Sequence, residues 1–411
     1  MKTIRIADFG SVTTGKTPSS NNPEHFGQDY PFITPTDMDA GRVVQTERGI
    51  SKEGYLKFHR QILPKSSICF VCIGATIGKI CMTTERSLTN QQINSVVVDT
   101  ARHDPFFVYY LLSTYAEVVK SVAGGAATPI VNKTTFENLE VSVPPLNTQR
   151  KIAAILSAYD DLIENNLRRI KILEEMAQTT YREWFVKFRF PGYQKVKMVD
   201  SPLGKIPEGW EVLPINKLGG EVVLGGTPAR NNPLYWVNGT IPWLKSGKMN
   251  ELRVMDGTEF ITDTGLRESA TKMMPPKTVL IAITGAILIS FLEIDACANQ
   301  SVVGIFSTKK CSPEYLHLYL CENISLLKSK MSGSAQQHIN KLIVEDIPVL
   351  IPSSGISSQF VKFVEPQYEI VVNLLKRNST LRQTRDLLLP KLISGEVDVS
   401  ELEISIPEAI Q

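Results

Sequence analysis

The chain contains itself twice, and that repeat constrains its fold more than any other feature. Gly15-Lys16-Thr17-Pro18, with Asn21-Asn22-Pro23 just after it, returns as Gly225-Gly226-Thr227-Pro228 with Asn231-Asn232-Pro233. Pro31 and Met38 return as Pro242 and Met249, Gly74-Ala75 as Gly285-Ala286, and Asn90-Gln91 as Asn299-Gln300. Gly125, Asn132-Lys133 and Pro144 reappear as Gly333, Asn340-Lys341 and Pro352. The order is kept at an offset of roughly 208 to 211 residues, far longer than a solenoid period, so the repeat is a duplicated domain.

A length of 411 residues accommodates two such domains, each able to bury its own core. The start of the chain has no apolar run after its charges, so a secretory signal is not expected. The longest apolar stretch, residues 278–294, is β-branched and broken by Thr284-Gly285. Like its counterpart at 67–83, it predicts strand, turn and strand rather than a membrane span. Of six cysteines only Cys69 and Cys72 are close, and residues three apart on a strand face opposite sides. Leu280 and Ile283 hold those places in the second copy, so apolar packing is expected instead of zinc ligation. Free thiols then place the protein in the cytoplasm. A net charge of +2 is small for a dedicated DNA-binding domain, so any phosphate neutralisation must come from local patches or from partners.

Residues 1–145 and 206–352 each read as short strands divided by Gly, Pro and Asn clusters, with one helical segment, at 105–122 and 313–330. After Pro144-Pro145 the spacing changes to period 3.5. Ile152, Leu156, Tyr159, Ile163, Asn166, Ile170, Leu173, Ala177, Thr180 and Trp184 alternate steps of four and three, as a coiled-coil seam does. Phe360, Val364, Gln367, Val371, Leu374, Asn378, Leu381, Arg385, Leu388 and Leu392 do the same. The two seams are expected to bury each other. Paired antiparallel about their midpoints, they set Asn166 opposite Asn378 and Tyr159 opposite Arg385, the latter as a cation-π contact. Pro366 and Pro390 predict that the second helix kinks, or starts late and ends early. A helix of about 37 residues spans roughly 55 Å, more than the roughly 34 Å of one DNA turn, which suits a bipartite target with an unread spacer.

The segment Gly10 to Thr17 matches the phosphate-cradling pattern GxxxxGK[ST], but Pro18 and Asn21-Asn22-Pro23 stand where its helix should run. The second copy replaces the lysine by Gly226, so a turn is expected and an ATP-using enzyme built on Lys16 is the least favoured reading. His25, His59, His103, His317 and His338 show no metal spacing, and no catalytic triad can be singled out. Positions kept in both copies should shape the scaffold, and loop positions that differ should read different bases. Those candidates are Lys16, Ser19, Ser20, His25, Asp37, Arg42, Lys79 and Gln92 in the first copy. In the second they are Arg230, Tyr235, Trp236, Lys245, Lys248, Arg253, Gln336 and His338. Arg and Lys address guanine edges or phosphates, and Gln addresses adenine.

Three segments resemble the specificity (S) subunits of type I restriction-modification systems. They are Val143-Pro144-Pro145-Leu146 with Gln149 and Ile152; Ile206-Pro207-Glu208-Gly209-Trp210; and Arg385-Asp386-Leu387-Leu388-Leu389-Pro390-Lys391-Leu392-Ile393-Ser394-Gly395-Glu396. Ile351-Pro352-Ser353-Ser354-Gly355 departs from the family's Pro-Pro-Leu and blurs where the second helix begins. The resemblance implies an α+β chain with a pseudo-twofold internal repeat. Two mixed α/β target recognition domains, 1–145 and 206–352, are separated by two long antiparallel coiled-coil helices, 146–187 and 353–394, with a linker at 188–205 and a tail at 395–411. It implies a non-catalytic DNA-binding subunit without cofactors or metal of its own. Two methyltransferase subunits using S-adenosylmethionine would methylate adenine, and two motor and nuclease subunits using ATP and Mg²⁺ would cut. The alternative within the resemblance is an orphan or methylation-only specificity subunit acting without a nuclease.

Overall fold

A computed structural model describes residues 1–38, 42, 46–123, 129–331 and 338–406. The chain divides into two compact units, one built from residues 1–165 and 378–411 and the other from 166–377. The first unit is therefore closed by both ends of the chain.

In the first unit an antiparallel sheet runs in the order Gly10–Thr14, Ile93–Val98, Ile68–Val71, Ile80–Met82. A smaller sheet orders Phe26–Gly27, Gly49–Ile50, Tyr30–Ile33 and Leu88–Thr89, and Lys2–Arg5 pairs with Glu140–Val143. The second unit repeats the plan. Glu221–Leu224, Val302–Phe306, Val279–Ala282, Leu288–Leu292 and Arg253–Val254 form one sheet. Glu259–Ile261, Ile241–Leu244 and Cys297–Ala298 form another, and Glu211–Pro214 pairs with Pro348–Ile351.

Residues kept in both copies do scaffold work. Gly15 and Gly225 lie so close to the next strand that an added Cβ would stand 2.1 and 2.2 Å from the carbonyl oxygens of Asn90 and Asn299. The Thr17 and Thr227 hydroxyls donate to Gln91 and Gln300, each at 2.5 Å. Asn132 and Asn340 cap the helices Lys133–Glu137 and Lys341–Glu345 by accepting from the backbone of Thr135 and Ile343. Gly74 and Gly285 take φ of +91° and +76° in the turns between paired strands, which L side chains rarely adopt. Residues 67–83 and 278–294 are strand, turn and strand as expected. Cys69 and Cys72 face opposite sides, each into a different apolar cluster. No helix follows Thr17 in the Gly10–Thr17 segment, so its context is not that of a phosphate-binding loop.

The helical segments expected at 105–122 and 313–330 are each broken in two. Pro105–Ser113 and Ala116–Val122 divide at Thr114 and Tyr115, and Pro313–Glu322 and Ile324–Ser329 divide at Asn323. Asp104 and Ser312 cap the first of each pair, with proline at the first helical position.

Two long helices follow the domains, Leu146–Tyr181 with 36 residues and Ser354–Ser394 with 41, about 54 and 61 Å at 1.5 Å per residue. We call them the central and distal helices. The buried Gln149 side chain ties the start of the central helix down, donating to the Pro144 carbonyl at 2.9 Å and accepting from the Asp104 amide at 3.1 Å. The distal helix begins at Ser354 and runs unbroken through Pro366 and Pro390. Each proline removes one backbone hydrogen bond, but the side-chain packing of neighbouring turns holds the helix together, so it neither starts late nor ends early.

In each unit the two helices meet side by side and run in opposite directions. In the first, Ile152 and Leu156 share a core with Leu388, Leu392 and Ile393, and the Asn378 amide donates to the Ile163 carbonyl at 3.4 Å. In the second, Ile170 and Leu173 pack on Val371 and Leu374, while Tyr181, Trp184 and Phe185 ring Phe360. Val364 joins the same core, Asn166 and Asn378 are buried, and Tyr159 and Leu381 are half-buried. Arg385 departs from expectation. Its guanidinium pairs with the Asp160 carboxylate at 2.5 Å, one residue past Tyr159, because a buried carboxylate attracts a cation more strongly than a ring face does. Asp160 is 5% exposed and also accepts from the Tyr110 hydroxyl at 2.5 Å, so the pair links a domain helix to both long helices.

Arg385→Met leaves Asp160 with one partner and should destabilise the first unit by about 3–5 kcal/mol, whereas Tyr159→Leu should cost about 1 kcal/mol or less. Urea unfolding of the full chain reads the difference, and equal losses would contradict the pair's role.

Candidate nucleic-acid interface

The positions selected from the sequence fall into three settings. The first is an exposed turn. In the first unit Lys16, Ser19 and Ser20 are exposed, with the Lys16 ammonium 6.0 Å from the Phe58 ring centroid and the half-buried His25 ring edge-on to Phe58 at 5.7 Å. In the second unit Arg230 and Lys245 converge on the Glu259 carboxylate, and Trp236 lies under the Arg230 guanidinium. The Tyr235 hydroxyl donates to Glu268 at 3.2 Å.

The second setting is local structure. Asp37 accepts from the Thr34 amide at 2.8 Å and hydroxyl at 2.6 Å, closing a capping box. Lys79 donates to the Pro35 carbonyl at 3.1 Å, Gln92 accepts from Asn90 at 2.9 Å, and Lys248 pairs with Glu251 at 2.7 Å and Asp256 at 2.5 Å. His338 is exposed in an isolated bridge with Thr284, and Gln336 lies outside the described residues.

Arg42 and Arg253 make up the third setting, and both turn inward. Arg42 reaches Asp161 and, at 3.2 Å, Glu164 on the central helix, with its guanidinium 5.2 Å from the Phe106 ring centroid. Arg253 is buried between Glu293 at 2.9 Å and Glu174 at 3.8 Å and lies 3.5 Å over the Tyr368 ring of the distal helix. Each guanidinium therefore fastens its domain to a long helix within its own unit. The signal was present in the sequence. Met38 with Arg42-Val43 and Met249 with Arg253-Val254 share one spacing and one offset, which by the rule applied to the repeat marks scaffold.

Arg253 also sets the state of a neighbour. His317 is buried and its Nδ1 lies 2.9 Å from the Tyr368 hydroxyl. Burial, with the charge of Arg253, pulls its pKa from the ordinary 6.5 to about 3. Glu259 is the acidic residue that sequence reasoning missed at the exposed cluster. A lone carboxylate on a strand carries no pattern, and its role is visible only once the turn bearing Arg230 folds against it. Hydrogen bonds from Lys245 and then Arg230 hold its carboxyl below the usual range. Among the described residues no group of three or more His, Cys, Asp or Glu could hold a metal ion, and no helix is long and apolar enough to cross a membrane.

Below pH 6.5 the unfolded chain protonates His317, while the folded unit refuses that proton until about pH 3. The stabilising contribution is complete above pH 6.5 and is lost as pH falls through that window, at up to about 1.4 kcal/mol per pH unit. Urea midpoints between about pH 7 and pH 4 should fall less steeply for His317→Gln than for the parent chain. Parallel profiles would contradict a neutral buried imidazole.

Comparison with known proteins agrees with this arrangement. The family model described as the type I restriction modification DNA specificity domain matches residues 1–175 and 207–380, once per copy of the repeat. The chain is 29% identical to the MjaIX type I restriction enzyme specificity subunit of Methanocaldococcus jannaschii, over 97% of this chain and 94% of that one. It is 24% identical to the HindI specificity subunit of Haemophilus influenzae, over 71% and 77%. The solved S subunit of a type I system from M. genitalium has a similar fold, with a TM-score of 0.60 over 95% of both chains at 16% identity. With two family domains covering most of its length, each folded on the same plan, the chain belongs to the type I restriction-modification DNA specificity family.

Proposed function

We propose that this chain is a non-catalytic specificity subunit that binds double-stranded DNA, each unit reading one half of a bipartite, interrupted site. The observation that carries the reading is the duplication itself. Two domains share a scaffold down to the Thr17 and Thr227 hydrogen bonds, yet present different side chains on the turns that follow. Identical scaffolds hold comparable loops, and different loops read different half-sites.

In this reading the two long helices form an antiparallel coiled coil that sets the unread spacer and docks methyltransferase subunits. Their seams support it, since Ile152, Leu156, Ile163, Ile170, Phe360, Val364, Val371, Leu374 and Leu392 are all buried. Adenine methylation with S-adenosylmethionine belongs to those partners, and translocation and cleavage with ATP and Mg²⁺ belong to restriction subunits. Partner subunits also supply part of the phosphate contact, in keeping with a net charge of only +2.

Replacing residues 1–145 by the same segment of another family member, in a chain expressed with its methyltransferase, should change one half of the methylated motif and leave the other intact. A change in both halves would contradict independent domains.

A further inference from the structure

The exposed cluster in the second unit supports a more specific statement, resting on the proposed DNA-reading function. Arg230 is exposed, yet its guanidinium is fixed on three sides. It stacks 3.8 Å over the Trp236 ring centroid and 4.7 Å from that of Trp243, and the Glu259 carboxylate takes one of its edges. The platform is itself anchored. The two indoles meet edge to face at 5.2 Å, and their N–H groups donate to the carbonyls of Ala229 at 3.1 Å and Gly226 at 3.0 Å. A guanidinium held in this way gives up little side-chain freedom on binding. Lys248 and Arg253 differ, since Lys248 is closed into two ion pairs and Arg253 is buried.

The charge pattern selects the ligand. Glu259 lies between Arg230 and Lys245, and hydrogen bonds from both keep it ionised. A fixed carboxylate repels a phosphate, so the spot is poorly suited to backbone contact. It does offer a planar fork of donors beside an acceptor. Guanine presents two acceptors in the major groove, O6 and N7, and its partner cytosine presents the N4 donor, so one pair displays the complement of Arg and Glu together.

The first unit shows that this pairing is not part of the shared scaffold. The Asn21-Asn22-Pro23 and Asn231-Asn232-Pro233 turns align Ser20 with Arg230. The strand pairs Pro31 with Gly49 and Pro242 with Phe260 align Arg48 with Glu259. The same two places thus carry Ser20 and Arg48 in one copy and Arg230 and Glu259 in the other, with the strand charge reversed. We propose that Arg230 and Glu259 together read one guanine–cytosine pair in the half-site of the second unit, with Trp236 as the residue that positions the guanidinium.

The test is selection of duplexes from a randomised library by the full chain in complex with its methyltransferase, for the parent and for Arg230→Ala, Arg230→Lys and Glu259→Gln. The parent should select an interrupted motif with an invariant guanine–cytosine pair in one half. Arg230→Ala should relax that pair alone, lowering discrimination by roughly 5- to 150-fold, the range that a good bidentate contact supplies. Arg230→Lys keeps the charge without the fork and should lose discrimination while retaining most of the affinity. Glu259→Gln should relax the same pair. An unchanged motif in both Arg230 variants, with uniformly weaker binding for Arg230→Ala alone, would show a phosphate contact and overturn the proposal, as would an unchanged motif at unchanged affinity. A parent complex that selects no motif would overturn the DNA-reading function itself, and is distinguished by appearing before any substitution is made.

Discussion

Mutual cover of the two long helices is the constraint on which the structure depends. Each helix carries an apolar stripe along about ten or eleven turns, and a stripe of that length cannot be left to water. The central helix finds its cover in the distal helix, which the chain reaches only after building a second domain. As a result the first unit is closed by residues 378–406, and the last turns of the distal helix, with Val399 beyond them, are part of the core that also holds Ile6 and Phe107. The polar contacts follow from that burial. Buried Asp160 contacts Arg385 and Tyr110 in one unit, and buried Arg253 contacts Glu174, Glu293 and Tyr368 in the other. Each set joins a domain to helices that its own apolar contacts already hold.

The cations divide by the direction they face. Arg42 and Arg253 face the helices, where burial makes a paired guanidinium a fastener and where removing either partner strands a charge. Lys16 and Arg230 face outward from turns beside aromatic rings, and Lys245 is exposed where it pairs with Glu259. An exposed cation held by a ring and a carboxylate is suited to recognition, because its donors are presented in a fixed geometry and its charge is already balanced.

Much of this was legible in the sequence because the duplication offers an internal comparison. Strand, turn and strand at 67–83 and 278–294, the opposed Cys69 and Cys72, the turn at Lys16 and most buried seam positions follow from period, spacing or the second copy. At the end of the central helix, however, burial passes to Tyr181 and Phe185, one residue past the expected Thr180 and Trp184. Two departures, at the helix prolines and at Arg385, come from tertiary packing overriding a local rule. Pro366 and Pro390 break hydrogen bonds in a helix whose other residues are held by cover. Arg385 prefers the buried Asp160 to the predicted Tyr159. Arg42 and Arg253 were grouped with base-reading residues although their shared spacing marked them as scaffold. Glu259 was invisible because it stands on a strand 29 residues from its partner Arg230, which lies on a turn.

The central claim is that this duplicated chain directs methylation to an interrupted DNA site. Genome-wide mapping of adenine methylation, in cells expressing the chain with its methyltransferase partner and in cells lacking the chain, tests it most directly. The account predicts one new bipartite motif with an unread spacer, methylated on both strands and absent without the chain. No difference between the two, with the methyltransferase shown to be active and bound to the chain, would contradict it.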